Sequence, residues 1–362
     1  MSKAKYLKVV EWVEKQIEDG TFPVGTRLET ENEMSKRFGI SRQTVRHGIA
    51  ILEQKGIIET RQGSGSYVRK GVRTQVAESY YKKNIVIVTT YVNSYIFPKT
   101  IQGMERILEQ ANYNVNIVFT HNQREAEKRI LKKWLQDPYV AGMIIEPVKS
   151  ALPNPNQCYY EQLKEKNIPV IFFNSFYEGY GIPHVSLNDT LVGEMATEYL
   201  IKQGHTKIGG IFKLEDGQGL RRYEGYINML EKYNIPICDR YICWIDTEEQ
   251  QNMDLSKEKV LKRLEGCTAC VCYNDEVAHE LSKLCKNAGV LIPEQLSLVS
   301  VDNSELSELN YIPLTSISHP MEILGEKTAR NLLDLLENVD SKGTYEFTPQ
   351  LNIKKSVKKL EH

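Results

Sequence analysis

The stretch FGISRQTVRHGIAILEQKGIIETRQGSGSYV, residues 38–68, decides how the N-terminal part of this chain folds. The tripeptide FGI at 38–40 is long enough only for a tight turn. Directly after it, Ser41 stands where a hydroxyl caps a helix, and Val45, Ile49 and Leu52 recur at helical spacing to give that helix a buried face. Its first turns point Arg42, Gln43 and Arg46 the other way, and these long donors suit base edges and phosphates. Upstream, Thr30 and Glu33 make a T-x-x-E capping box that starts a short helix over 31–37. Two short helices meeting at a three-residue turn form a helix-turn-helix. Before them, Leu7, Val10, Val13 and Ile17 predict a first helix over 4–18, closed by Gly20. Downstream, GIIETRQGSGSYV at 56–68 reads as two strands joined by the glycine-rich tip RQGSG, a β-wing from which Arg61 and Gln62 reach an adjacent groove or backbone. The alternative is a three-helix bundle with a solvated charged face, and a turn, a cap and a set of donors all in register argue against it.

This head is a small part of a 362-residue chain, which is too long for one ordinary core. With 41% hydrophobic and 26% charged residues, the composition is that of a soluble globular protein. A formal charge of -1 conceals an asymmetry: residues 1–70 carry 13 Lys and Arg against 9 Asp and Glu, and the remainder 33 against 38. A basic head on an acidic body suits nucleic-acid binding, because phosphate attraction is local and screened within about 10 Å. The seven cysteines, odd in number and scattered, read as reduced thiols and not as a disulfide framework. Apolar runs such as IVIV at 85–88 are far too short to span a membrane, and the N-terminal MSKAKYLKVV lacks the apolar core of a signal peptide. The expected location is therefore the cytoplasm, which argues against an exported sugar-binding protein.

Residues 69–83, RKGVRTQVAESYYKK, are polar and aperiodic, so the expected division is a head over 1–70, a linker over 71–83 and a body over 84–362. From 84 onward, short apolar runs alternate with amphipathic helices: IVIVTT at 85, VNIVFT at 115, VAGMIIE at 140, IPVIFFN at 168, KIGGIF at 207, ACVCYN at 269 and LSLVSVD at 296. Continuous apolar strands separated by helices mean parallel sheets covered on both faces. The fold class is α/β, and so long a body predicts two lobes with a cleft between them. Ligands in such sheets bind beyond the carboxyl ends of the strands. That rule selects Tyr91, Tyr95 and Phe97 after the first strand, Glu146 and Lys149 after the third, and Asn174 after the fourth. In the second lobe it selects Gln218 and Arg222 at a helix start, Asn274 and Asp275 after ACVCY, and Asp302 after LSLVSV. Carboxylates, amides and cations beside aromatic rings suit a sugar, whose C–H faces pack on rings and whose hydroxyls donate and accept. Each residue also has a plainer reading: Asn274 and Asp275 as helix caps, Tyr95 as core, and Glu146 with Lys149 as a local ion pair.

The run from Pro23 to Val68 resembles the GntR-type winged helix, most specifically in GISRQTVR at 39–46. The resemblance implies that Ser41, Arg42, Thr44 and Arg46 occupy that family's DNA-contacting recognition-helix positions and that Gln62 and Gly63 occupy its wing tip. The family often has Ser-Glu-Arg where this chain has Thr30, Glu31 and Asn32, so Asn32 offers only a neutral, weaker phosphate contact. Residues 84–362 resemble the LacI/GalR-type effector domain, itself built like periplasmic sugar-binding proteins. The resemblance rests on GHTKIGGI at 204–211, RRYEG at 221–225, YNDEVA at 273–278, VDNSE at 301–305 and PLTSISHP at 313–320. It implies a ligand-clamping role for Arg222 and a hydroxyl-accepting role for Asp302, whose neighbour Asn303 replaces the family's more usual second aspartate. PLTSI is expected to be a late strand returning to the first lobe, with His319 near the crossover as a structural residue or a ligand contact. The pairing of these two parts resembles the arabinose-responsive repressors of Gram-positive bacteria, and that resemblance alone implies L-arabinose as effector. The expected mechanism is a homodimer formed through the bodies, with its heads on two half-sites of double-stranded operator DNA, released when the sugar closes the cleft.

Other chemistry finds little support. Cys267, Cys270 and Cys272 form C-x2-C-x-C, but side chains alternate along a strand and no second C-x-x-C exists, so no metal is expected. The chain lacks G-x-x-x-x-G-K-[ST], G-x-S-x-G and H-E-x-x-H, so phosphoryl transfer and common hydrolysis are not expected, nor is a cofactor. A sugar-modifying α/β enzyme carrying a DNA-binding head is the rival class.

Overall fold

The computed structural model describes residues 6–18, 21–61, 64–69, 84–91, 95–338 and 342–361. Gly20, Gln62, Gly63 and the linker 71–83 lie outside them. The chain divides into two compact units, 1–82 and 83–362.

In the first unit, α1 (Leu7–Glu18), α2 (Glu31–Phe38) and α3 (Arg42–Gln54) enclose a core of Val9, Val10, Val13, Met34, Val45 and Leu52. The capping box forms: the Thr30 hydroxyl accepts from the Glu33 amide at 3.3 Å, while the Glu33 carboxylate accepts from the Thr30 amide at 2.7 Å. Gly39 closes α2 at φ 63°, the left-handed conformation that lets the chain reverse into α3 within the three-residue turn. Ser41 caps α3, accepting from the Thr44 amide at 3.2 Å. Strands β1 (Ile58–Arg61) and β2 (Gly65–Val68) pair antiparallel from Ile58↔Val68 to Arg61↔Gly65. Beyond the two strands expected of the wing, residues 26–28 add a third edge. Arg27 bridges Tyr67, the Leu28 amide donates to the Ser66 carbonyl, and the Val68 amide donates to that of Thr26.

In the second unit the chain forms β3 (Asn84–Thr89), β4 (Asn114–Phe119), β5 (Val140–Ile145), β6 (Val170–Phe173) and β7 (His184–Leu187), followed by β8 (Ile208–Lys213), β9 (Ile242–Ile245), β10 (Ala269–Cys272), β11 (Ser297–Asp302), β12 (Thr315–Ser318), β13 (Tyr345–Phe347) and β14 (Leu351–Asn352). Two six-stranded sheets result, ordered β13-β7-β6-β5-β3-β4 and β14-β12-β11-β10-β8-β9. Every pairing is parallel except β12 with β14. Strands β5, β6, β8, β10 and β11 are buried along their whole length, as expected for sheets covered by helices on both faces.

The chain passes between the lobes three times. After β7 the helix Asp189–Lys202 packs Val192, Ala196 and Leu200 into the second lobe's core. After β12 the helix Met321–Glu337 packs Leu324, Ala329 and Leu332 into that of the first. The third passage joins β13 to β14. The return expected at PLTSI does not occur there. Thr315–Ser318 does not return to the first lobe but pairs with β11 in the second, where Leu314 and Ile317 are fully buried. The return follows it, at His319 and Pro320.

Each lobe contains a helix pair in near-backbone contact. A Cβ on Gly193 would lie 2.0 Å from the Arg222 carbonyl oxygen, and one on Gly225 would lie 2.0 Å from that of Thr190. Gly103 and Gly325 play the same part in the first lobe, at 2.3 Å from the Glu322 oxygen and 1.9 Å from that of Thr100. The absence of side chains at Gly193 and Gly225 thus sets where Arg222 stands above the cleft.

Candidate functional site

The carboxyl ends of both sheets face a cleft of about 450 Å³, within the usual size of small-molecule sites. Tyr91, Tyr95, Phe97, Glu146, Asn174, Gln218, Arg222, Asn274 and Asp302, all selected from the sequence, line it.

Glu146 follows β5 and is buried. Its Oε2 accepts from the Thr89 hydroxyl at 2.8 Å and from the Thr90 amide and hydroxyl at 2.7 Å each, and its Oε1 accepts from Asn174 Nδ2 at 3.0 Å. Burial raises its pKa against the pull of those donors. Oε1 keeps acceptor capacity for a ligand hydroxyl. Asn174 passes the chain of bonds onward, since its Oδ1 accepts from His319 Nε2 at 3.2 Å. That bond fixes the His319 tautomer with its proton on Nε2. Its Nδ1 is buried with no partner among the described residues.

His319 therefore resists a second proton. Burial, reinforced by the Arg222 charge and opposed by that of Asp189, pushes its pKa down to about 4 from an ordinary 6.5. As pH falls through this interval the unfolded chain takes up a proton that the folded one refuses, so the wild type loses stability from about pH 6.5 downward. His319→Gln removes this group, so the wild type should lose stability relative to the variant between pH 7 and pH 5, as measured by urea unfolding. An unchanged difference would show that the ring is not held neutral.

Arg222 projects from the helix Gly217–Lys232 into the interior. Its Nε donates to Asp189 Oδ1 at 2.8 Å and its NH1 to the Tyr273 carbonyl at 2.5 Å, with the guanidinium 4.9 Å from the Tyr273 ring centre. Burial works against its charge, but Asp189 foremost among its neighbours holds the pKa above the usual arginine value. Across the cleft, the Tyr95 hydroxyl donates to Asp302 Oδ2 at 2.5 Å, and Asp302 sits at φ 103°, a costly conformation for a residue with a side chain.

Several residues that sequence reasoning missed also line the cleft: Lys213, Asp216, Gln250, Tyr273 and Glu276. Lys213 pairs with Asp216 at 3.0 Å. Gln250 Nε2 donates to Glu276 Oε2 at 3.0 Å, which orients the amide, while Gln250 Oε1 and Gln218 Oε1 are buried acceptors with no partner among the described residues. An unmatched buried acceptor costs roughly 1–3 kcal/mol, and the hydroxyls of a polyol would satisfy both.

The structure does not bring three of the selected residues to the cleft wall. Lys149, expected as a sugar ligand, turns away to bind Glu215, and the alternative ion pair with Glu146 does not form either. Asp275 is fully buried behind the wall, accepting from the Ser300 hydroxyl at 2.5 Å, the Ser316 hydroxyl at 2.7 Å and the Ser304 amide at 2.7 Å. Burial, with the nearby Asp302 charge, pushes its pKa up to about 6, and it knots β11 and β12 to the helix behind them. His319 stands one bond behind Asn174. Asn274 does both jobs, capping the helix Asp275–Asn287 through the Val277 amide at 3.0 Å and lining the cleft.

In the head, Arg42, Gln43, Arg46 and Asn32 are exposed on α3 and α2, and Thr44 is half-buried with its hydroxyl 2.8 Å from that of Ser41. Glu31 organises the cations: Arg46 donates to its two oxygens at 2.9 Å each, and Arg42 lies 3.8 Å from it. Arg61 stacks over Tyr67 at 4.7 Å and pairs with Glu59.

Residues 5–68 match the family model of bacterial regulatory proteins of the gntR family, and residues 197–357 match that of the periplasmic binding protein-like domain. Two relatives are each described as an arabinose metabolism transcriptional repressor. The one from Geobacillus stearothermophilus is 33% identical over 98% of each chain. That from Halalkalibacterium halodurans is 32% identical, covering 98% of this chain and 97% of its own. Among solved structures, a LacI family transcriptional regulator from Enterococcus faecium with bound ribose superimposes with a TM-score of 0.65 at 22% identity, over 77% of this chain and 100% of its own.

Proposed function

The chain belongs to the family of arabinose metabolism transcriptional repressors, and from that premise we propose that it represses transcription by gripping operator DNA and lets go when L-arabinose fills its cleft. Its relatives are transcription regulators, and it acts as a regulator and not as an enzyme. The head, residues 1–70, reads DNA with Arg42, Gln43 and Arg46, supported by Ser41, Thr44, Asn32 and the wing from Arg61 to Gly63. The body, residues 84–362, binds the sugar and pairs with a second copy, and residues 71–83 connect the two. Exposed Leu309 and Tyr311 offer apolar surface for that pairing. Among the described residues no helix is long and apolar enough to cross a membrane, and we place the protein in the cytoplasm.

The observation that carries the effector reading is the pair of buried, unmatched acceptors, Gln218 and Gln250, in a cleft walled by Tyr91, Tyr95, Phe97 and Tyr273. Charge narrows the ligand further. Glu146, Asp216, Glu276, Glu280 and Asp302 outnumber Lys213 and Arg222 on the wall, so a neutral polyol fits and an anionic sugar is repelled. A thermal-shift comparison tests this. L-arabinose at 100 times its dissociation constant should stabilise the full chain by about 2.7 kcal/mol, with no shift from arabinose 5-phosphate at equal concentration. No shift with L-arabinose would overturn the effector, and a larger shift with the phosphate would overturn the charge argument.

A further inference from the structure

The rim of the cleft carries a closed ring of four side chains that crosses from one lobe to the other and back. The Lys149 ammonium binds Glu215 Oε1. Glu215 Oε2 accepts from the Thr247 amide at 3.0 Å and from its hydroxyl at 2.5 Å. That hydroxyl oxygen accepts from Asn122 Nδ2 at 2.8 Å, and Asn122 Oδ1 accepts from the Lys149 amide at 3.0 Å, which closes the ring. Asn122 and Lys149 belong to the first lobe, following β4 and β5, while Glu215 and Thr247 belong to the second, following β8 and β9.

We propose that this ring is a latch that closes the cleft by protein–protein bonds, with Lys149 and Glu215 as positioning residues for the sugar response. Lys149 was the expected sugar ligand at this place, but its ammonium is committed across the rim and does not line the cleft. The backbone is shaped for that commitment. Lys149 at φ 47° and Asn122 at φ 54° both adopt the left-handed conformation, ordinary for asparagine but uncommon for lysine, and the Lys149 N–H donates to Asn122 Oδ1 at 3.0 Å. The ion pair is also better shielded than a surface one, its side chains being 31% and 12% exposed. Two backbone donors cross the rim beside it: the Ala151 amide donates to the Glu215 carbonyl at 3.0 Å, and the Gly217 amide to the Ser150 hydroxyl at 2.8 Å. None of these bonds lies at the three chain passages, and they act beside two other bonds that join the lobes across the cleft, from the Tyr95 hydroxyl to Asp302 at 2.5 Å and from Gln218 Nε2 to the Asn174 carbonyl at 3.2 Å.

The latch has a thermodynamic consequence that rests on the sugar-response reading above. A ligand's apparent dissociation constant equals its intrinsic one divided by the fraction of molecules already competent to bind it. If the closed cleft grips sugar, loosening the latch lowers that fraction.

The Ala151 and Gly217 amides report closure directly, so hydrogen exchange on the full-length protein without sugar tests the latch whatever the effector is. Lys149→Ala should speed exchange at both amides at least about tenfold and leave β3 and β8 unchanged, and Lys149→Arg should restore protection. Calorimetry with L-arabinose should then give about a tenfold higher dissociation constant for Lys149→Ala. Equal exchange in wild type and Lys149→Ala, or failure of Lys149→Arg to restore it, overturns the latch. Absence of heat from L-arabinose with the wild type overturns the effector reading instead, and the exchange result still decides the latch.

Discussion

Arg222→Ala should abolish the sugar response while leaving operator binding intact. Arg222 is anchored by Asp189 and the Tyr273 carbonyl and lines the cleft opposite Glu146, so its guanidinium is a fixed donor needing no rearrangement when a hydroxyl arrives. A hydrogen bond from a charged donor is worth about 1.5–3 kcal/mol, so each sugar hydroxyl that loses the guanidinium costs roughly 10- to 150-fold in affinity. A second loss accompanies it. Asp189 is 3% exposed, and without Arg222 its charge is stranded, which costs about 3–5 kcal/mol of folding stability. The two effects separate in the double variant Arg222→Met with Asp189→Asn, which removes both charges. Urea unfolding should show most of the stability recovered, and calorimetry with L-arabinose should show binding still absent. If the double variant binds sugar as well as the wild type, Arg222 acts only as a structural partner of Asp189.

The parts of the molecule that were legible in the sequence are those whose signals are local. The capping box at Thr30 and Glu33, the cap at Ser41 and the glycine at 39 each act within one helical turn, and each forms as its spacing demands. The long apolar strands were equally plain, because burial on both faces leaves no polar residue to interrupt them. What escaped was set by tertiary partners. Strand β9, ICWI, is only four residues long, and missing it hid Gln250, which stands on the short helix after it. Lys213 and Tyr273 escaped differently. Tyr273 closes the run ACVCY and reads as part of the strand, whereas Lys213 directly follows KIGGIF, where the ligand rule points, and was passed over. Asp275 and Lys149 obeyed the rule and still lie off the cleft wall, because sequence position fixes where a backbone emerges and not where its side chain turns. Asp275 turned to three serines from β11, β12 and the loop after β11, and Lys149 turned to the opposite lobe. The same limit applies to Arg222, whose place depends on Gly193 beneath its carbonyl, a contact between residues far apart in sequence.

Arg46→Ala should weaken binding to the cognate operator by about 5- to 150-fold, because a bidentate contact to a guanine edge is worth about 1–3 kcal/mol. The case for Arg46 over its neighbours rests on its presentation. Glu31 receives both arms of the guanidinium at 2.9 Å, so the long side chain is already ordered over the exposed face of α3. Arg42 is 3.8 Å from the same carboxylate, a looser hold. A preordered donor loses less side-chain entropy on docking, and its planar fork cannot be imitated by an ammonium. Arg46→Lys should therefore recover little of the cognate affinity while keeping the charge. The salt dependence of binding separates base reading from phosphate contact. A base reader, when removed, lowers cognate affinity and relaxes specificity at one position, whereas a phosphate contact weakens all sequences alike and lowers the salt slope by about one. If Arg46→Ala weakens cognate and random duplexes equally, or Arg46→Lys restores full affinity, the residue is a phosphate clamp and base reading passes to Arg42 and Gln43. Sugar affinity should be unchanged in either variant, because Arg46 belongs to the head unit and every residue lining the cleft belongs to the body.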